Sequence, residues 1–162
     1  MIPSFYTTVI QKSAAFHSTT PCRDIRLLEP VTRDAVFRVI GLARESGVTL
    51  QVLETYRSQE LQEHYYERGA TQLRTVGVHH YGVACDLGIV IAGQVNWKAD
   101  YSILGKLAKR AGLVWGGDWG SPERFHSFRD YDHVQRIAVA DQDKLFSGSW
   151  YPSPSYVVPE AG

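Results

Sequence analysis

The stretch GVHHYGVACDLG, running from Gly77 to Gly88, places two adjacent histidines, a glycine and an aspartate within a dozen residues. Read as one extended strand, it would hold His79 and Asp86 roughly 23 Å apart, at about 3.3 Å per residue. The two can meet only if the chain turns between them, and Gly82 is the residue best able to permit that turn. After the turn, Val83-Ala84-Cys85-Asp86 can run as a strand with Asp86 on one face. A strand with polar ends and half of a metal site are both compatible with this spacing.

A catalytic zinc site needs three protein ligands and one position left for water. The chain has six histidines: His17, His64, His79, His80, His126 and His133. The segment RDYDHVQ offers His133 as a third ligand beside Asp130 and Asp132. A carboxylate three residues before a ligand histidine is well placed to act as general base on a metal-bound water.

The elements around these residues alternate. TRDAVFRVIGLARESG reads as a helix that Thr32 can cap and Gly47 ends, with Val36, Val39, Ile40 and Ala43 on one face. Val48–Thr55 reads as a strand, Ser58 caps a helix ended by Gly69, and Ala92-Gly93 joins two strands as a hairpin. Asp100 can cap a helix over 101–111, whose Ile103, Leu104, Leu107 and Ala108 form an apolar stripe. LVWGGDWG is turn-rich and aromatic, and DYDHVQRIAV reads as a strand. The order α, β, α, β-hairpin, α, β predicts an α+β fold, a small mostly antiparallel sheet with helices packed on it.

The 162 residues are 44% hydrophobic and 21% charged, as expected of one globular domain over 1–162. Residues 138–162 are expected to form an irregular, proline-containing tail packed on or trailing from the domain. With 17 basic and 17 acidic residues, long-range capture of nucleic acid or anionic membrane is not expected. Two cysteines, Cys22 and Cys85, are too few for a disulfide framework, and Cys85 is expected to be a buried small hydrophobe. No secretory signal and no membrane-spanning run are read from the sequence, and a monomer is expected.

Four short segments together resemble one family. HHYGVACD contains H-x-x-G-x-A-x-D, DYDH matches the D/E-x-x-H that follows it, and TYRS with Gln62 resembles the segment ahead of both. GLVWGGDW resembles the Trp-Gly-Gly-Asp-Trp box of the L-alanyl-D-glutamate endopeptidase branch. The chain thus resembles the LAS-type zinc peptidases of peptidoglycan, which include D-Ala-D-Ala carboxypeptidases and phage endolysins. The resemblance extends over about 28–137, the recognisable core, and implies a LAS/Hedgehog-like fold with a zinc cleft.

It implies Zn2+ held by His79, Asp86 and His133, because only His79 has glycine three residues on. It further implies Asp130 as catalytic base and Arg57 as the cation that steadies the oxyanion. Gln62, Asp118, Trp119 and His126 are candidates for the substrate cleft. The implied substrate is the peptidoglycan peptide stem, cut at L-Ala-D-Glu, by an enzyme made in the cytoplasm and released through a holin-type pore. A D,D-carboxypeptidase or dipeptidase, and a non-catalytic zinc-binding module, are the alternatives on the same scaffold. The chain departs from the family at Gly77, where serine is usual, and at Asp132, where proline is common. Asp132 is expected to point away from the site, since adjacent strand residues face opposite ways. The segment GSPERFHS is longer than the usual spacing and is expected to reshape the cleft rim.

Overall fold

The strand that carries Asp86 lies inside a five-stranded sheet, and the register of that sheet decides what surrounds the carboxylate. The computed structural model describes residues 3–71, 73–119 and 129–159. Its strands are β1 (Thr49–Glu54), β2 (Ala84–Ile91), β3 (Gln94–Val95), β4 (Val114–Trp115) and β5 (His133–Gln135). They lie in the order β1-β2-β5-β4, with β3 folded back on the far end of β2, and every pairing is antiparallel. The α+β architecture expected from the sequence is the one observed.

The helices are α1 (Phe5–Thr8), α2 (Pro30–Glu45), α3 (Gln59–Glu67), α4 (Ser102–Arg110) and α5 (Gln142–Phe146). Val36, Val39 and Ala43 of α2 and Leu104, Leu107 and Ala108 of α4 pack against Leu50, Cys85, Leu87, Ile89 and Val134. Burial of each such aliphatic side chain contributes about 1.5–3 kcal/mol, so this layer fixes the sheet. Successive strand residues face opposite ways. With Cys85 and Leu87 in the core, Asp86 stands on the other face, and Cys85 is the buried hydrophobe expected of it.

Some boundaries differ from the sequence reading. Thr32 does not cap α2. Pro30 takes the first helical position, and the Glu29 carboxylate accepts from the Val31 and Thr32 amides at 3.1 and 2.9 Å. Proline has no amide hydrogen to satisfy there, so the helix cap lies three residues earlier than read, at Glu29. The strand read over DYDHVQRIAV pairs only at His133–Gln135.

The segment after residue 137 is packed on the body. It contains α5, and Leu145 joins a buried cluster with Val78, Tyr81, Val83, Ala84 and Ile137. Arg136, 3% exposed, ties it down: its guanidinium meets buried Glu29 at 3.1 Å and donates to the Ser153 carbonyl at 2.6 Å. No helix among the described residues is long and apolar enough to cross a membrane.

Candidate metal centre and active site

Two cross-strand pairs build the centre. Glu54 of β1 lies opposite Asp86 of β2, and Asp86 lies opposite His133 of β5, so three polar residues stand in one row across the sheet. His79 joins them from the turn at Val78–Tyr81, which Gly82 closes at φ +73°. A Cβ at Gly82 would approach the Leu27 carbonyl oxygen to 2.6 Å, so glycine is required there both for the dihedral and for space. The turn brings the two ends of the opening stretch together: His79 Nε2 lies 3.2 Å from Asp86 Oδ1.

His133 Nδ1 completes a triangle, 3.2 Å from Asp86 Oδ1 and 3.2 Å from His79 Nε2. The outer nitrogens set the tautomers. His79 Nδ1 donates to the Thr55 carbonyl at 2.8 Å. His133 Nε2 donates at 2.9 Å to Gln135 Oε1, whose amide nitrogen is turned to the Ile137 carbonyl. In the neutral imidazoles the inner nitrogens therefore carry lone pairs, facing each other and a carboxylate. Three electron-pair donors so placed call for a cation. A tetrahedral ion with bonds of about 2.0–2.1 Å would hold its ligands about 3.3 Å apart, close to the observed edges. The residues present fit a zinc ion.

The local electrostatics agree. Burial disfavours a charged His79, yet the Asp86 carboxylate outweighs it and raises the imidazole above its ordinary range. Burial works against ionised Asp86 too, but His79 and His133 hold its carboxyl well below the usual carboxylate value.

Arg57 sits at the rim with its side chain 15% exposed. Its Nε donates to Glu54 Oε1 at 2.7 Å and Nη2 meets the same oxygen. Nη1 donates to Gln62 Oε1 at 3.0 Å, and the guanidinium lies over the Tyr65 ring at 4.7 Å. Tyr65 in turn donates to Glu54 Oε2 at 3.2 Å. Gln62 is held by the Leu73 carbonyl at 2.7 Å, so it orients Arg57 as well as lining the cleft. Glu54, Tyr65, Thr55 and Gln135 were not among the sequence candidates. Gln135 was within reach of strand alternation, since it stands two residues from His133 on the same face.

The Trp-Gly-Gly-Asp-Trp box positions Asp130. The Asp130 amide donates to the Gly116 carbonyl at 3.1 Å, and a Cβ on Gly116 would come within 2.3 Å of the Asp130 carbonyl oxygen. The Trp115 indole packs so close to Gly105 and Gly117 that a Cβ on either would come within 2.3 Å of it, and it donates to the Tyr131 carbonyl at 2.7 Å. Carboxylate oxygens of Asp86, Asp130 and Asp132 lie within 4.8 Å of one another.

Asp132 therefore does not point away. Strand alternation does not reach it, because residues 131–132 form a turn, closed by the His133 amide on the Asp130 carbonyl, and β5 begins only at His133. Half-buried and hydrogen-bonded to Asp130 beside the Asp86 carboxylate, the Asp132 carboxyl is pushed up to about 9, with burial the largest cause.

Trp119 flanks the centre, its ring 5.0 Å from that of His133. Its buried Nε1 has no hydrogen-bond partner among the described residues. Such a donor costs about 1–3 kcal/mol, a cost that a ligand carbonyl would relieve. Asp118 turns outward to Lys109 at 3.0 Å and does not line the cleft among the described residues. His126 and the segment 120–127 lie outside the described residues.

Arg57, Gln62, His79, Trp119, Asp130 and His133 share a cavity of about 270 Å³, whose far wall includes Leu73, Val139 and Gln142. A second cavity, about 460 Å³, shares Asp130 with the first as a lining residue.

The centre is thus that of a metallopeptidase, and comparison with known proteins agrees. A family model described as D-alanyl-D-alanine carboxypeptidase matches residues 71–136. The chain is 31% identical to the Serratia marcescens L-Ala D-Glu endopeptidase ChiX, at a TM-score of 0.54 over 72% of this chain and 87% of that one. It is 26% identical to the peptidoglycan L-alanyl-D-glutamate endopeptidase CwlK of Bacillus subtilis, over 75% of this chain and 83% of that protein. It is 27% identical to the L-alanyl-D-glutamate peptidase of Listeria phage A118, over 75% of this chain but 42% of that protein. The chain belongs to the LAS-type zinc peptidases of peptidoglycan, and it is a peptidoglycan-hydrolysing metallopeptidase.

Proposed function

We propose that the protein is a zinc-dependent endopeptidase that cuts the L-Ala-D-Glu bond of the peptidoglycan stem. The observation that carries this reading is that Asp130 lines a second cavity besides the metal cleft, room for substrate to extend past the scissile bond. A carboxypeptidase needs space on one side and a cation to receive the terminal carboxylate. The likeness to ChiX and CwlK supports the same choice.

In this reading His79 Nε2, Asp86 Oδ1 and His133 Nδ1 hold the metal. When bound there, zinc supplies a Lewis acid that polarises the amide carbonyl and lowers the pKa of a water to about 7. Asp130 takes the proton from the attacking water and delivers it to the departing amine of D-Glu. Arg57, fixed by Glu54 and Gln62, presents its guanidinium to the developing oxyanion at no cost in reorganisation. Trp119 Nε1, without a partner among the described residues, donates to a backbone carbonyl of the stem. The biological setting of this reading is a phage-type lytic role, which the likeness to the Listeria phage peptidase supports, with release through a membrane pore.

Digestion of purified peptidoglycan by the zinc-loaded protein, followed by mass spectrometry of the products, tests the reading. New amino-terminal D-Glu and carboxyl-terminal L-Ala are expected. Release of terminal D-Ala alone would assign the D,D-carboxypeptidase alternative instead. Asp130→Ala should reduce hydrolysis by about 10²–10⁴-fold while zinc stays bound; retained activity would reject Asp130 as the base, and lost zinc would place it among the ligands.

A further inference from the structure

Of the groups assigned to the chemistry above, the cavity of about 460 Å³ contains Asp130 alone among the described residues, and the rest of its lining is distinctive. Among the described residues it holds Trp97, Trp115 and Tyr131, with Asp100, Ser102 and Arg129 between them. Trp97 is 66% exposed and Tyr131 50% exposed, so two large aromatic side chains reach solvent at one cavity. Trp97 is nevertheless not on a loose loop. Asn96 Oδ1 accepts the Lys98 amide at 2.9 Å, and the buried Tyr101 hydroxyl bridges the Asn96 carbonyl and the Ile89 amide, both at 3.1 Å. Tyr131 is fixed through its carbonyl by Trp115. The two rings are held open to solvent on anchored backbone, a preorganised platform.

We infer that this cavity is a saccharide subsite, which holds the N-acetylated amino sugar carrying the stem peptide. The inference rests on the L-Ala-D-Glu reading. In peptidoglycan L-Ala is joined through a lactyl group to that sugar, so the ring follows the scissile carbonyl by only two short units, roughly 7 Å of chain. Asp130 lines both the metal cleft and this cavity, so a stem bound at the centre delivers its sugar here. A pyranose presents an apolar C–H face to an aromatic ring and polar hydroxyl and acetamido edges to groups such as Asp100 and Ser102. The volume lies within the roughly 300–1,000 Å³ usual for small-ligand sites.

Two measurements test the subsite. The first compares kcat/KM on a disaccharide-bearing stem peptide and on the same peptide acetylated at L-Ala. The parent should prefer the glycan-bearing probe by about tenfold, Trp97→Ala should lose most of that preference, and Trp97→Phe should regain it. The ratio is independent of the folded fraction. A ratio unchanged in Trp97→Ala would overturn the subsite. The second is titration of tryptophan fluorescence with N-acetylmuramic acid alone, with saturable quenching expected in the parent and absent in Trp97→Ala. Equal responses, or none in the parent, would also overturn it. This titration is blind to which bond is cut. Terminal D-Ala release with Trp97-dependent sugar binding would refute the proposed function alone, and L-Ala-D-Glu cleavage indifferent to the sugar would refute the subsite alone.

Discussion

His79 and His80 are neighbours in the chain and occupy opposite kinds of surroundings. His79 enters a polar triangle, with one nitrogen on the Thr55 carbonyl and the other facing Asp86 and His133. His80 enters an aromatic cage: the rings of Tyr6, Phe16, Tyr56 and Tyr81 lie 5.3–5.6 Å from its own, and Tyr6 Oη is 2.8 Å from its Nε2. Burial lowers the His80 pKa, whereas the Asp86 carboxylate raises that of His79. Both imidazoles are almost fully buried, at 5% and 6% exposure, so exposure does not tell them apart. Their partners do. One ring faces acceptors that need a cation, and the other is wedged among aromatic rings with its nitrogens on the Tyr6 hydroxyl and the Arg57 carbonyl.

The largest expected effect comes from exchanging those roles. His79→Ala should lose bound zinc and at least about a hundredfold of hydrolytic activity, read by metal analysis and peptidoglycan digestion. His80→Ala should keep the metal and instead lose about 2–4 kcal/mol of stability in denaturant unfolding. The reverse pattern would break the distinction. Zinc at a hundred times its Kd should stabilise the parent and His80→Ala by about 2.7 kcal/mol over chelated protein, with no effect on His79→Ala. Gln135→Leu, which removes the acceptor behind His133, should weaken zinc binding about 10–100-fold by competition titration without touching the His80 cage. Smallest, Tyr6→Phe should cost about 1 kcal/mol of stability and leave zinc affinity unchanged; a fall in zinc affinity would couple the two pockets.

Much of the centre was legible because its first half is local. Gly82 three residues after His79 and Asp86 four further on describe a turn followed by a strand, and the structure has both. Ser58 caps α3 as read, accepting from the Leu61 amide, and the hairpin falls at Ala92-Gly93. The errors lie where a local rule met a longer constraint. Asp132 was assigned by strand alternation in a segment that is still a turn, and Asp118 was grouped with the box when its neighbour on α4, Lys109, draws it outward. Nothing in the sequence around Glu54 marks it. Its role is set by Arg57 three residues on and by Asp86 across the sheet.

The sequence by itself determined the candidate ligands His79 and Asp86 and how the first reaches the second, because turn propensity and strand period act over a few residues. Only the tertiary structure decided that His133, 47 residues beyond Asp86, falls directly opposite it, that Glu54 flanks it on the other side, and that Gly116 holds Asp130 beside them. The reason is physical. Strand register is set by burying Cys85, Leu87 and Val134 together under α2 and α4, and that cooperative packing is not encoded at any single position.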